Sequence, residues 1–161
     1  MTATATPRPT GHPGYSQTLE RVPESAGVAR SLVRTALAAW HRDELIEDAL
    51  CVITELVSNA VDHTRHSVIR VVVTRPADDR VLLKVIDRSH DVPRIRTDSD
   101  SDFGSERIRG RGLVLVDALS DRWGTEPHRW GKTVWAELKG APPGPGGEAR
   151  NAVGPDAGRP R

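Results

Sequence analysis

Glu55 and Asn59 stand four residues apart in the stretch Glu55-Leu56-Val57-Ser58-Asn59-Ala60-Val61-Asp62-His63. On a helix this spacing stacks the two side chains on one face, and Asp62 or His63 falls near the same line one turn later. A carboxamide oxygen is a hard donor suited to Mg2+, which takes one or two protein oxygens and completes its shell with water and phosphate. A nearby carboxylate can accept the proton of an attacking water or hydroxyl. The pattern fits Asn59 as metal ligand and Glu55 as general base; it fits equally the wet face of an amphipathic helix. His63 and His66, at the end of the stretch, read as surface residues rather than a metal cluster.

Downstream, Gly110-Arg111-Gly112-Leu113 opens an apolar run. Glycines there allow close backbone approach, and a following helix turns free N–H groups and its positive dipole end toward an anion. A lone Gly-x-Gly also serves ordinary helix starts. It is neither the Gly-x-Gly-x-x-Gly dinucleotide fingerprint nor a Gly-x-x-x-x-Gly-Lys phosphate loop. Arg94, Arg96, Arg107, Arg109 and Arg111 surround the turn, and Arg109 and Arg111 are the two expected to reach a phosphate. Asp87 follows the β-branched run 81–86. A buried carboxylate at that strand end would accept an exocyclic amine such as that of adenine and reject a carbonyl in its place; it would also serve as a turn-initiating Asp.

The elements that must carry these residues are legible from periodicity. Residues 17–22 alternate and suit an edge strand, and Pro23 and Glu24 open a helix to about His41. Val28, Leu32, Val33, Ala36, Leu37 and Trp40 would form its apolar stripe. Asp43 is the expected N-cap of a second helix over 44–63, with Ile46, Leu50, Ile53, Val57, Ala60 and Val61 turned inward. Residues 68–74 and 80–87 read as strands joined by Arg75-Pro76-Ala77-Asp78-Asp79. Residues 88–109 lack periodicity and form a long loop of the kind that serves as a lid. Residues 110–119 give a third helix, and 121–126 and 132–138 a final hairpin. The order is β-α-α-β-β-loop-α-β-β.

The chain has 161 residues, the size of one domain. Residues 1–16 and 140–161 are rich in Thr, Pro, Gly and Ala and are expected to be disordered, leaving 17–139 as the folded unit. Lys+Arg 23 against Asp+Glu 22 gives a net charge of +1, so no global field recruits nucleic acid or an anionic membrane. Cys51 is the single cysteine, which excludes an intrachain disulfide and fits a reducing cytoplasm. No signal-peptide pattern and no membrane-length apolar run is present.

Taken in order, these motifs resemble the gyrase, heat-shock chaperone, histidine-kinase and mismatch-repair ATP-binding superfamily (GHKL). Residues 55–63 look like its N box, Asp87 with Ser89 and Pro93 like a degenerate first glycine box, and Gly110-Arg111-Gly112-Leu113 like the second. The nearest resemblance is to the stand-alone anti-sigma-factor serine/threonine kinases of actinobacteria. It extends over about 19–138 and includes Trp123-Gly124 and Gly131-Lys132-Thr133-Val134-Trp135. The resemblance implies an α/β fold of Bergerat type, an α+β two-layer sandwich in which a mixed, mostly antiparallel sheet packs against three helices with ATP beneath a lid. It implies Glu55 as catalytic base, Asn59 as Mg2+ ligand, Asp87 as adenine acceptor, Thr133 as a last-strand hydroxyl near adenine, and Gly110, Gly112 and Leu113 as a phosphate-facing lid hinge. The usual Asp-x-Gly-x-Gly reads here Asp87-Arg88-Ser89-His90-Asp91. Asp62 is assigned no catalytic role.

The function so implied is a cytoplasmic anti-sigma factor that uses Mg-ATP to phosphorylate an antagonist protein. The alternative is a catalytically weak, nucleotide-dependent module that sequesters a sigma factor. A homodimer is an expectation from the resemblance alone. A two-component histidine kinase would carry its phosphoacceptor hairpin well ahead of Glu55, and His41 lies too close. A gyrase-like ATPase would add a transducer domain, which no stretch resembles.

Overall fold

The computed structural model describes residues 6–7, 12–89 and 110–142. Its strands are β1 (Thr6–Pro7), β2 (Gly14–Glu20), β3 (Val68–Ala77), β4 (Arg80–Asp87), β5 (Arg122–His128) and β6 (Gly131–Lys139); its helices are α1 (Ser25–Ala39), α2 (Ile46–His63) and α3 (Gly110–Leu119). The strands form one sheet in the order β1-β2-β3-β4-β6-β5, and each described pairing is antiparallel. This is the expected helix-on-sheet sandwich. After β4 the chain passes through α3 to the edge strand β5 and returns as β6 between β5 and β4. That crossover lays the start of β6 beside the end of β4, with Lys132 opposite Asp87.

Period-2 alternation sets the two faces of the sheet. Val81, Leu83, Val85 and Asp87 of β4 are buried in alternation, and the register sets them against Leu138, Ala136, Val134 and Lys132 of β6. The apolar members of both rows join the core with Ile69, Val71 and Val73 of β3 and the inner faces of α1 and α2. Leu37, Ile53, Leu56 and Leu83 are among its largest fully buried side chains, each contributing about 1.5–3 kcal/mol by burial. At one end both rows change character, and the last two inward positions are a carboxylate and an ammonium.

Several boundaries differ from expectation for local reasons. The first long strand begins at Gly14 and is flanked by β1, so strand structure reaches into the segment expected to be disordered. Tyr15 anchors it on Trp40, with ring centroids 5.8 Å apart. The α1 helix ends at Ala39 because His41 takes a positive φ of 55°. Arg42 N–H then reaches Leu37 O at 2.9 Å and His41 N–H reaches Ala38 O at 3.1 Å, the bond pair of a Schellman stop. Asp43 does not cap α2: it starts a 3-10 turn (Asp43–Leu45), and the residue before α2 is Leu45, with no side-chain cap. Of the expected α1 stripe, Val28 is exposed, while Leu32, Val33, Ala36 and Leu37 are buried. The β3–β4 loop is shorter than expected, because β3 continues through Pro76 across a register shift between Thr74 and Ala77. The expected loop over 88–109 lies outside the described residues from His90 onward.

Candidate functional site

The α2 helix is amphipathic with Ala49, Val52, Ile53, Leu56, Val57 and Ala60 buried, which leaves Glu55, Asn59 and His63 along one flank. It packs against both β4 and α3. From Glu55 to His63 this flank rises about 12 Å, at ~1.5 Å per residue. At its first end α3 closes on Glu55: a methyl group on Gly112 would strike Glu55 Oε2 and lie 3.2 Å from Glu55 Cδ. Only a residue without a side chain lets the first turn of α3 approach that carboxylate without moving it. Gly110 and Arg111 precede it as the opening residues of α3. Leu113 is buried, so a phosphate could meet it only through its backbone N–H. Val116, fully buried, fixes α3 to the core.

At the other end of the flank lies Asp87. Its side chain is 1% exposed and that of Lys132 is 5% exposed, with Lys132 Nζ 3.5 Å from Asp87 Oδ1. Ser89 N–H donates to the same Oδ1 at 2.6 Å. The second oxygen, Oδ2, is buried and has no hydrogen-bond partner among the described residues, as is Asn59 Nδ2 on the helix. Burial pushes the Asp87 carboxyl above the usual carboxylate range, against the Ser89 N–H, Lys132 and His63, each of which pulls it down. Desolvation wins because the acid is buried while one of its oxygens is left without a donor. Gly131 sits tightly on this corner: a Cβ there would strike the Asp87 carbonyl and come within 2.6 Å of Arg88 Cα.

Glu55, Asn59, Asp87 and Gly112 therefore lie on one side of the sheet, along α2 and its two flanking elements, and Gly110 is the first residue of α3. Arg109 lies outside the described residues. Thr133 does not join them. Alternation along β6 puts it on the face opposite Asp87, where its Oγ1 is 2.8 Å from His128 Nε2. The inward residue at that level is its neighbour Lys132, which the motif reading passed over. The signal for it was faint but present, since Lys132 is one of three lysines in a chain whose other cations are arginines, and it interrupts a run of strand formers.

An orphaned buried acceptor at a strand end fits the exocyclic amine of a purine. The Asn59 carboxamide oxygen is a hard donor suited to Mg2+ with phosphate and water completing the shell, and the Glu55 carboxylate one turn away is suited to accept a proton. The residues present thus fit Mg-ATP.

Comparison with known proteins supports the same outline. Residues 16–138 match the family model described as a histidine kinase-like ATPase domain. No curated protein matches the chain. Among solved structures, the RsbU and RsbW domains of Rv1364c from Mycobacterium tuberculosis superpose with a TM-score of 0.58 at 24% identity, covering 79% of this chain and 32% of that one. This chain thus spans about a third of that solved chain, and the likeness is one of fold. With the family match running from β2 to β6 and the fold in agreement, the chain belongs to the histidine kinase-like ATPase domain family.

Proposed function

We propose that the chain is an ATP-dependent regulator of transcription, an anti-sigma factor that phosphorylates a serine or threonine of an antagonist protein. The observation that carries this reading is the pairing of an orphaned buried acceptor, Asp87 Oδ2, with a carboxylate held under the first turn of α3, Glu55. They lie at opposite ends of one helix flank. The RsbW domain in the similar structure supports the anti-sigma assignment, and no described helix is long and apolar enough to cross a membrane.

In this reading Asp87 accepts the adenine amine through Oδ2, and Asn59 supplies the protein oxygen for Mg2+. Mg-ATP, when bound, supplies the γ-phosphoryl group. Glu55 takes the proton from the attacking hydroxyl as its oxygen bonds to the γ-phosphorus and the bond to the β-phosphate oxygen breaks, releasing ADP. Gly112 keeps α3 close to Glu55 without displacing it. The backbone N–H groups of the first turn of α3 favour the phosphates.

A second reading keeps nucleotide binding and discards catalysis: a module whose nucleotide state decides whether it holds a sigma factor. It is favoured by Asp87-Arg88-Ser89, where the Ser89 N–H folds back onto Asp87 at the position that is glycine in the motif it resembles. Incubation of the purified protein with γ-labelled ATP, Mg2+ and antagonist proteins from the source organism separates the two. Label on serine or threonine of an antagonist, lost in Glu55→Ala while ATP still binds, is the expected result. Undiminished labelling by Glu55→Ala would remove Glu55 as base. Nucleotide-dependent sigma-factor binding without any transfer would establish the second reading.

A further inference from the structure

A carboxylate can read only half of the adenine edge. The 6-amino group is a donor and suits Asp87 Oδ2, but the ring nitrogen beside it, N1, is an acceptor and requires a donor from the protein or from water. Lys132 is placed to provide one. It faces Asp87 across the β4–β6 pairing, is itself 4% exposed, and reaches Asp87 Oδ1 rather than Oδ2, at 3.5 Å. An ammonium carries three N–H donors, and the contact with Oδ1 engages at most one. Burying a lysine this deeply is costly, and an ion pair at this separation recovers only part of that cost. A purely structural partner for Asp87 would saturate the carboxylate. Here Oδ1 takes both Lys132 and the Ser89 N–H, while Oδ2 has no partner among the described residues. The corner therefore offers a free acceptor beside a donor-rich cation, the complement of a 6-aminopurine edge.

We propose that Lys132 is a base-reading residue: its ammonium donates to N1 of the adenine ring while Asp87 Oδ2 accepts from the 6-amino group. This rests on the adenine-nucleotide reading of the same site and adds a second specificity determinant to it. Loss of a charge-assisted hydrogen bond in a buried site weakens binding by about 10- to 100-fold. The site should therefore discriminate against a nucleotide that differs from ATP only at that ring atom.

The experiment is calorimetric titration of the full chain with Mg-ATP, with Mg-1-deaza-ATP, in which N1 is replaced by C–H, and with Mg-ITP, in which the amine is a carbonyl. The wild type is expected to bind ATP about 10- to 100-fold more tightly than 1-deaza-ATP, and Lys132→Met to bind the two within about two-fold of each other, at the weaker level. Equal binding of ATP and 1-deaza-ATP by the wild type would overturn the role of Lys132 and leave the adenine site standing. That comparison needs no variant, so it decides the question even if Lys132→Met folds poorly. Binding of ITP as tightly as ATP would also overturn it, since the pair would then read a 6-oxo edge. Failure of every nucleotide to bind would overturn the adenine site along with it.

Discussion

Asp87 and Glu137 are both buried carboxylates on the β4–β6 pair, and their surroundings differ in the one respect that separates a site from a brace. Glu137, 6% exposed, points away from the helices and is gripped by Arg80 and by Arg122, whose Nη2 lies 2.8 Å and Nε 3.2 Å from Oε1. Arg80 also holds Asp121 at 2.8 Å, keeping that carboxyl below and its own guanidinium above their ordinary values. Asp87 points toward the helices and has an oxygen with no donor among the described residues. The two guanidinium groups on Glu137 tie β4, β5 and β6 together. The unpartnered Asp87 oxygen leaves an acceptor at the corner that a ligand donor could meet.

Replacement of Asp87 by Ala should give the largest effect, a loss of ATP affinity of about 100-fold, measured by calorimetry, because a charge-accepted hydrogen bond and the selectivity it confers disappear together. The matching Glu137→Ala change should leave ATP affinity within about two-fold while lowering stability by about 1–3 kcal/mol in chemical denaturation. An affinity loss in both variants would erase the distinction between the two carboxylates. Gly112→Ala should act at the far end of the helix flank. The added methyl pushes the Glu55 carboxylate aside, so phosphotransfer should fall about 10-fold with ATP affinity nearly unchanged, since the misplaced group is the proposed base.

The smallest effect is one of pH. Burial raises the Asp87 carboxyl in the folded protein above its ordinary value, so between the two values the folded state holds a proton that the unfolded state has already lost. Its contribution to stability is fully present below the unfolded value and is lost as pH rises through the folded one. Between those two values, the wild type should gain stability relative to Asp87→Asn as pH falls. Thermal melts of the two proteins across the acid range would check this, and the opposite slope would mean that Lys132 outweighs desolvation.

Much of this arrangement was legible in the residues. The β4 strand announces itself by strict alternation, and α2 by apolar positions three and four apart, so Glu55, Asn59 and Asp87 could be set on their elements before any coordinates. The match of Gly110 with the start of α3 follows from the apolar run behind it. Side-chain parity on β6 was not legible. Whether Lys132 or Thr133 faces inward depends on which residue pairs with Asp87, a register that no local pattern in Gly131-Lys132-Thr133-Val134 fixes, because both faces of that strand are largely buried. The early start of β2 was hidden for a related reason: Gly14 and Ser16 carry no apolar signal, and backbone pairing with β3 holds them in place. The 3-10 turn at Asp43 shows a good capping residue losing to the geometry that α1 imposes on the connection.

The central claim is that the corner framed by Asp87, Lys132 and the flank of α2 is an adenine-nucleotide site. It is tested most directly by titrating the wild-type protein with ATP and with GTP, each with and without Mg2+. Saturable binding that prefers ATP and strengthens with Mg2+ is the predicted result. Absence of binding, or equal affinity for GTP with no effect of Mg2+, would contradict it.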